Sequence, residues 1–377
     1  MCVFGTRPEA IKMAPVIRAL QEKSAIIPII CTTGQHRELL DQVLDVFELT
    51  PDVDLAVMAK GQDLFDVTSR VMIGMRSVLT EHQPDRVLVH GDTTTTLAAS
   101  LASFYAKIPV GHVEAGLRTR NMHAPWPEEL NRRVAGVVAD LHFAPTEKAQ
   151  AALLSESVAN DSVHLTGNTV IDALRLATDR IESDLALQET IDAALPALSD
   201  RRLVLVTGHR RESFGDGFEQ ICRALATLAD RDDVDLVYPV HLNPNVREPV
   251  ERLLGTHPRI HLISPLDYLP FVRLMSRASL VITDSGGVQE EAPSFGIPVL
   301  VMRETTERPE AVTAGVVKLV GAVEDRIVSA ATELLDDPEA FSRMAKASNP
   351  YGDGLAADRI ANILTGDSYE PYRAIPA

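Results

Sequence analysis

The chain has 377 residues, 45% hydrophobic and 24% charged, a soluble globular balance long enough for two cores of about 150–200 residues each. A formal net charge of −17 argues against a nucleic-acid or anionic-membrane partner, because a phosphate surface needs a basic one to meet it. No apolar run approaches the ~18 residues that span a bilayer, the start MCVFGTRPEA lacks a signal-peptide pattern, and Cys2, Cys31 and Cys222 are too scattered for a disulfide framework or a zinc cluster, so a cytoplasmic protein is expected.

Short Val- and Ile-rich runs alternate with longer segments of helical period, the pattern of parallel sheets covered by helices. Strands are predicted over 2–4, 25–32, 86–90, 109–113, 141–144 and 163–166 in the first half. In the second half they are predicted over 202–207, 235–240, 259–263, 280–283, 298–301 and 316–320. The stretch 171–201 is polar, helical in pattern and free of strand signals, so it reads as a connection, with the boundary near Gly167. Each half is expected to be a Rossmann-like, doubly wound α/β domain: an N-terminal one over 1–167 and a C-terminal one over 168–354. Ligands of such sheets sit beyond the carboxyl ends of the strands, which is where chemistry is to be sought.

The first strand runs into GTRPEAIKMAP. Gly5 permits a tight turn, Pro8 suits a first helical turn, and Arg7 and Lys12 place positive charge where an anion such as phosphate can bind. Next, VLVHGDTTTT ends a strand with His90 and Asp92, and VGHVEAGLRT ends another with His112, Glu114 and Arg118. Residues two apart on a strand point the same way, so each His-x-acid pair can converge on one cleft. Acid and base work fits these groups better than a metal site, since no tight ligand spacing accompanies them. In PWPEELNRR, Glu128 or Glu129 supplies a further carboxylate at a helix start, where an acid also simply complements the helix dipole.

In the second half, RLVLVTG leads into HRRESFGDG, where His209, Arg210 and Arg211 suit a diphosphate. YPVHLNPNV places His241 just past the next strand. TDSGGVQEEA is the most informative stretch: Asp284 or Ser285 can cap a helix, and Gly286 and Gly287 let a phosphate approach free N–H groups. Glu291 lies about a turn further on, within reach of a ribose. GDGLAA from Gly352 fits G-x-G-x-x-A but follows no strand, so it is not expected to bind a dinucleotide.

Taken together, GTRPEAIKMAP, QHRELLDQVL, VHGDTTTT, GHVEAGLRT, PWPEELNR, GHRRESFG, YPVHLNPNVRE, TDSGGVQEEAPS, TTERPEAVTAG and NPYGDG make the chain resemble, in order and over nearly its whole length, the non-hydrolysing UDP-N-acetylglucosamine 2-epimerases of bacteria. The resemblance implies a glycosyltransferase-B type fold with an interdomain active-site cleft, and a C-terminal helix over 355–377 packing back on the first domain. It implies interconversion of UDP-N-acetylglucosamine and UDP-N-acetylmannosamine, through elimination of UDP to 2-acetamidoglucal and re-addition, supplying surface polysaccharide biosynthesis. By motif, Asp92, Glu114, Glu128 and His209 match the family's catalytic group. Arg7, Lys12, Phe271, Ser285, Gly286, Gly287 and Glu291 match substrate-binding positions. Gln35, Arg210 and His241 match positions where some members bind a second UDP-N-acetylglucosamine as activator. No metal or cofactor is implied, and a homodimer is. Only Met1 to Phe4 precede the glycine of the first motif, whereas members of the family usually begin several residues earlier with a longer apolar strand, so the expectation is either a start further upstream or a less stable form.

Three other readings use overlapping features. A glycosyltransferase of the same fold needs an acceptor and has no call for carboxylates at first-domain strand ends. A hydrolysing epimerase would release free sugar. A silent sugar-nucleotide sensor would bind without exchange, although the acids at Asp92, Glu114 and Glu128 are all present.

Overall fold

The Val- and Ile-rich runs become parallel strands because each is followed by a helix long enough to cross back over the sheet. The computed structural model describes residues 1–34, 37–59 and 61–374. The chain divides into two compact units, one formed by Met1–Leu176 with Tyr351–Arg373, the other by Ala177–Pro350.

The first unit contains β1 (Cys2–Phe4), α1 (Arg7–Gln21), β2 (Ile30–Thr32), α2 (Arg37–Val46), β3 (Val53–Asp54), α3 (Leu64–His82), β4 (Val87–His90), α4 (Thr94–Tyr105) and β5 (Val110–Val113). It continues with α5 (Glu128–Val138), β6 (Leu141–Ala144), α6 (Glu147–Ser155) and β7 (Val163–Leu165). The boundary at Leu176 falls inside α7 (Thr169–Ser183). The sheet is seven-stranded and parallel, in the order β3-β2-β1-β4-β5-β6-β7. Its core packs Val3, Cys31, Val87, Val89 and Val110 against Val71 and Met75 of α3 and Ala98 of α4. Each such buried aliphatic side chain contributes roughly 1.5–3 kcal/mol relative to exposure.

The second unit holds α8 (Leu185–Ala194), β8 (Arg202–Thr207), α9 (Asp216–Ala229), β9 (Val234–Pro239), α10 (Pro244–Leu254), β10 (Ile260–Ile263), α11 (Tyr268–Ser276) and β11 (Leu280–Thr283). After these come α12 (Gly286–Glu291), β12 (Val299–Val301), α13 (Pro309–Thr313), β13 (Val317–Leu319), α14 (Glu324–Asp336) and α15 (Pro338–Ala345). Its parallel sheet has the order β10-β9-β8-β11-β12-β13. Both sheets therefore reverse their winding at one point, between β1 and β4 and between β8 and β11, and ligand crevices open at such points.

The last helix, α16 (Ala356–Thr365), belongs to the first unit and packs on α1. Ala357 N donates to Asp172 Oδ1 at 2.8 Å, Arg359 pairs with Asp353 and donates to Thr166 O at 3.0 Å, and Tyr372 N donates to Leu165 O at 3.0 Å. The GDGLAA turn is thus a structural connection into α16. Gly354 has φ +73°, and a Cβ there would lie 2.2 Å from Arg175 Cδ.

Two strand expectations change. The run over 25–32 contributes only β2, because Ile26 N closes a turn onto Lys23 O and Pro28 has no N–H to offer a ladder. The two-residue β3 pairs Cys31 with Val53 yet has too short an apolar pattern to be read. All three cysteines are buried, and burial pushes the Cys31 and Cys222 thiols up to about 12, as expected of core residues.

Candidate active site

In the first unit the candidate residues lie where β1, β4 and β5 give way to loops. Gly5 follows β1 without a positive φ; its necessity is space, since a Cβ would sit 2.0 Å from Thr33 Oγ1 and 2.6 Å from Thr95 Oγ1. Arg7 opens α1, half-buried, with no hydrogen-bond or ion-pair partner among the described residues. One helical turn on, Lys12 Nζ donates to Glu114 Oε2, and His90 Nε2 lies 3.6 Å from that same oxygen. Burial opposes charge on Glu114, but the Lys12 ammonium and the His90 imidazole hold its carboxyl well below the usual carboxylate range. Glu114 adopts φ +59°, a left-handed conformation uncommon for a residue with a side chain.

That backbone turn overturns one inference from strand alternation. His112 and Glu114 do not work as a pair, because Glu114 has left β5 and points by its own turn. His112 is buried in the core with Nε2 2.7 Å from Gly91 O, and burial, together with nearby cationic groups, pushes its imidazole down to about 3. His90 and Asp92 likewise part, His90 facing Glu114 while Asp92 goes elsewhere.

Asp92 Oδ2 accepts from Arg132 Nη2, and Asp92 O accepts from Asn131 Nδ2 at 2.9 Å, so α5 grips this residue twice. The same helix separates the two glutamates left open by sequence. Glu129 is fully buried and accepts from the N–H groups of Thr119 and Arg120, both at 3.0 Å, as well as lying 3.4 Å from Arg132. It holds the loop. Glu128 has one carboxylate oxygen, Oε2, buried without a hydrogen-bond partner, the condition of a group available to a ligand. Arg118 is committed to Glu156 through two 2.9 Å bonds.

In the second unit the turn after β8 meets the turn after β11. Asp284 is fully buried and accepts from the backbone N–H groups of His209 (2.7 Å) and Arg210 (2.8 Å). Its Oδ1 lies 3.2 Å from His209 Nδ1. Burial would raise this carboxyl, yet His209 and the two N–H groups hold it below its ordinary value. Asp284 therefore does not cap α12, and neither does the side chain of Ser285, which stands at the cap position without a cap bond. The Nδ1 side of the His209 imidazole faces Asp284, and its ring stacks on His241 with centroids 5.6 Å apart. Arg210 has its Nε buried without a partner.

Over the Ser285-Gly286-Gly287 turn lies Arg308, whose Cζ would be 3.1 Å from a Cβ on Gly286. Arg308 Nε donates to Glu290 Oε1 at 2.8 Å, which gives that buried glutamate a structural task. Gln289 ties the same loop, accepting from Thr306 Oγ1 at 2.8 Å and donating to Ser285 O at 3.0 Å. Glu291 is 7% exposed, and its Oε2 would lie 3.9 Å from a Cβ on Gly287. Phe271, on α11, is half-buried. Gln35 lies outside the described residues.

Side chains that hold the candidate residues and their turns, and that the sequence reading does not reach, are Glu9, Asn131, Arg132 and Arg308. Glu9 carried a signal, the Thr-x-x-Glu capping box of GTRPE, and Arg132 follows Glu129 at helical spacing. Among the described residues no group of three or more His, Cys, Asp or Glu side chains is placed to hold a metal ion.

Comparison with known proteins gives one consistent result. The sequence profile of the family described as UDP-N-acetylglucosamine 2-epimerase matches residues 18–365. A probable UDP-N-acetylglucosamine 2-epimerase of Ralstonia nicotianae is 60% identical over 366 residues, covering 97% of this chain and 98% of that protein. The UDP-N-acetylglucosamine 2-epimerase of Escherichia coli is 57% identical, covering 97% of each. The crystal structure of UDP-GlcNAc 2-epimerase from Neisseria meningitidis bound to UDP-GlcNAc is similar with a TM-score of 0.90 at 51% identity, covering 97% of this chain and 99% of that one.

Proposed function

The chain belongs to the UDP-N-acetylglucosamine 2-epimerase family of isomerases, and from that premise we propose that it interconverts UDP-N-acetylglucosamine and UDP-N-acetylmannosamine by eliminating UDP and adding it back. Carbon 2 of the sugar has no ring carbonyl beside it, so its proton cannot leave to a stabilised enolate. In elimination, a base takes the carbon 2 proton, the C–H electrons form the double bond of 2-acetamidoglucal, and UDP departs with the electrons of the bond to carbon 1. In return, a proton is delivered to the opposite face of carbon 2 and the diphosphate oxygen re-forms its bond to carbon 1. Two faces require more than one proton carrier, together with stabilisation of the leaving group.

What supports this reading is the differing condition of three carboxyl groups at one end of one sheet. Glu114 is held charged by Lys12 and His90, Asp92 is gripped by Arg132, and Glu128 keeps an unbonded oxygen. These are assigned the proton transfers. Arg7 and Lys12 are assigned to the nucleotide sugar. The Ser285-Gly286-Gly287 turn beneath Arg308 is assigned to the diphosphate, Glu291 to the ribose and Phe271 to the uracil, with His209 supporting the leaving diphosphate through Nε2. His241 and Arg210, with Gln35, are read as contacts of an activating second substrate molecule; the stacking of His241 on His209 is a route by which such a molecule would bear on the catalytic group. A homodimer and a part in surface polysaccharide synthesis complete the reading.

A proton NMR time course with UDP-N-acetylglucosamine alone in deuterium oxide tests it. The expected outcome is deuterium at carbon 2 and a manno isomer still attached to UDP. No exchange sinks the proposal, and free N-acetylmannosamine with UDP replaces it with a hydrolysing enzyme.

A further inference from the structure

Glu9 is buried between the two turns that carry most of the first unit's candidate groups. Its Oε2 accepts from Gly5 N (3.0 Å), Thr6 N (2.8 Å) and Thr6 Oγ1 (2.8 Å). Its Oε1 accepts from Thr93 Oγ1 (2.6 Å) and, more weakly, Thr96 Oγ1 (3.4 Å). The first turn leads into α1 with Arg7 and Lys12, and the second joins Asp92 to α4. These turns follow β1 and β4, which meet at the point where the sheet reverses its winding and whose paired register is limited to Cys2 with Leu88. The ladder between these two strands is short, and Glu9 adds a side-chain tie between the turns that follow them. Thr33 and Thr95, whose hydroxyls are 3.0 Å apart, pack into the space that a side chain on Gly5 would need.

We infer that Glu9 is a positioning residue for the epimerase reaction, an internal anion that fills the donors of the first turn and locks it to the second, so that Lys12 and Asp92 are held in register. The inference rests on the function proposed above. It carries a consequence for specificity as well. In dinucleotide-binding units of this topology, the N–H groups after the first strand face a pyrophosphate; here they already face Glu9. The first unit is thereby closed to a diphosphate at its first turn, which is left to the glycine turn of the second unit.

The test compares Glu9→Ala with wild type for kcat, KM, UDP affinity and the folded fraction. Small displacements of reacting groups are costly, so kcat per folded molecule is expected to fall by about 10-fold or more, with KM and UDP affinity changing by less than about 3-fold. Added formate, which can occupy the vacated carboxylate position, is expected to restore part of kcat. Amide hydrogen exchange at Gly5, Thr6 and Thr96, read without substrate, is expected to quicken. A kcat within twofold of wild type, a loss confined to KM, or unchanged exchange at those amides overturns the role. If Glu9→Ala does not fold, Thr93→Val removes the Thr93 bond to Glu9 together with the cap that Thr93 Oγ1 gives Thr96 N, Thr93→Ser keeps both, and equal kcat in these two variants overturns the role. Failure of wild type to take up deuterium at carbon 2 instead removes the epimerase reading, and the amide-exchange arm still decides whether Glu9 couples the turns.

Discussion

Glu114 would be a neutral acid if burial alone set its state, and the Lys12 ammonium is what reverses the sign. Its carboxyl is held below the range of an unfolded chain, so the stability it contributes is present above a pH of about 4.3 and is lost as pH falls through the depressed folded value. Lys12→Met leaves burial opposed only by His90. The carboxyl then rises, and the acid limb of kcat/KM against pH is expected to move upward by about one unit or more, activity returning at higher pH. A pH–rate profile checks this, and an unmoved limb counts against charged Glu114 taking part. Asp92 and Glu114 could be picked out because each ends a Val-rich run, but their partners could not: Lys12 is 102 positions from Glu114, and Arg132 is 40 positions from Asp92. Only the fold brings such pairs together. His112 departs from the expected pairing for a related reason, since alternation along a strand says nothing once Glu114 turns to a positive φ.

Elements show the same division between local pattern and long-range contact. The strands of both sheets were legible because buried parallel strands are continuous apolar runs, whereas β3 is two residues long and exists through its pairing with β2. The attachment of α16 depends on another contact that no local pattern announces, the buried Asp172 of α7 accepting from Ala357 N. Burial pushes the Asp172 carboxyl up to about 7. An acid raised in the folded state favours folding most when protonated, so its effect is complete below the unfolded value and is lost as pH rises toward 7. Between pH values of about 4 and 7 this one group should lower stability by up to roughly 1.4 kcal/mol per pH unit. Asp172→Asn keeps an oxygen for Ala357 N and removes the titration. Its unfolding free energy is expected to be flatter than that of wild type over this window, with the variant gaining most above pH 7. Parallel denaturant titrations at pH 5 and pH 8 measure the difference, and identical pH slopes would show that Asp172 does not titrate there.

At the scale of the whole molecule, the surface of the first unit poses a problem that its own fold leaves unsolved. Ile73 of α3, Phe104 and Tyr105 at the end of α4, and Val137 of α5 are 59%, 61%, 72% and 87% exposed on neighbouring helices. Large apolar side chains gathered on adjacent elements mark an interaction surface more often than a solvated one. The chain as a whole carries a formal net charge of −17, which opposes close approach of two copies unless apolar burial offsets it. A second copy of this chain is therefore the proposed occupant, by a two-fold arrangement in which the same helices meet. Light scattering is expected to give twice the 41.0 kDa chain mass for wild type. Phe104→Asp with Val137→Asp places four carboxylates in that contact, two from each copy, and is expected to yield a monomer whose far-ultraviolet circular dichroism is unchanged. A stable interface of about 800 Å² per partner does not tolerate desolvating unpaired charge at its centre. A wild-type monomer, or a double variant that remains dimeric, assigns these side chains to some other task.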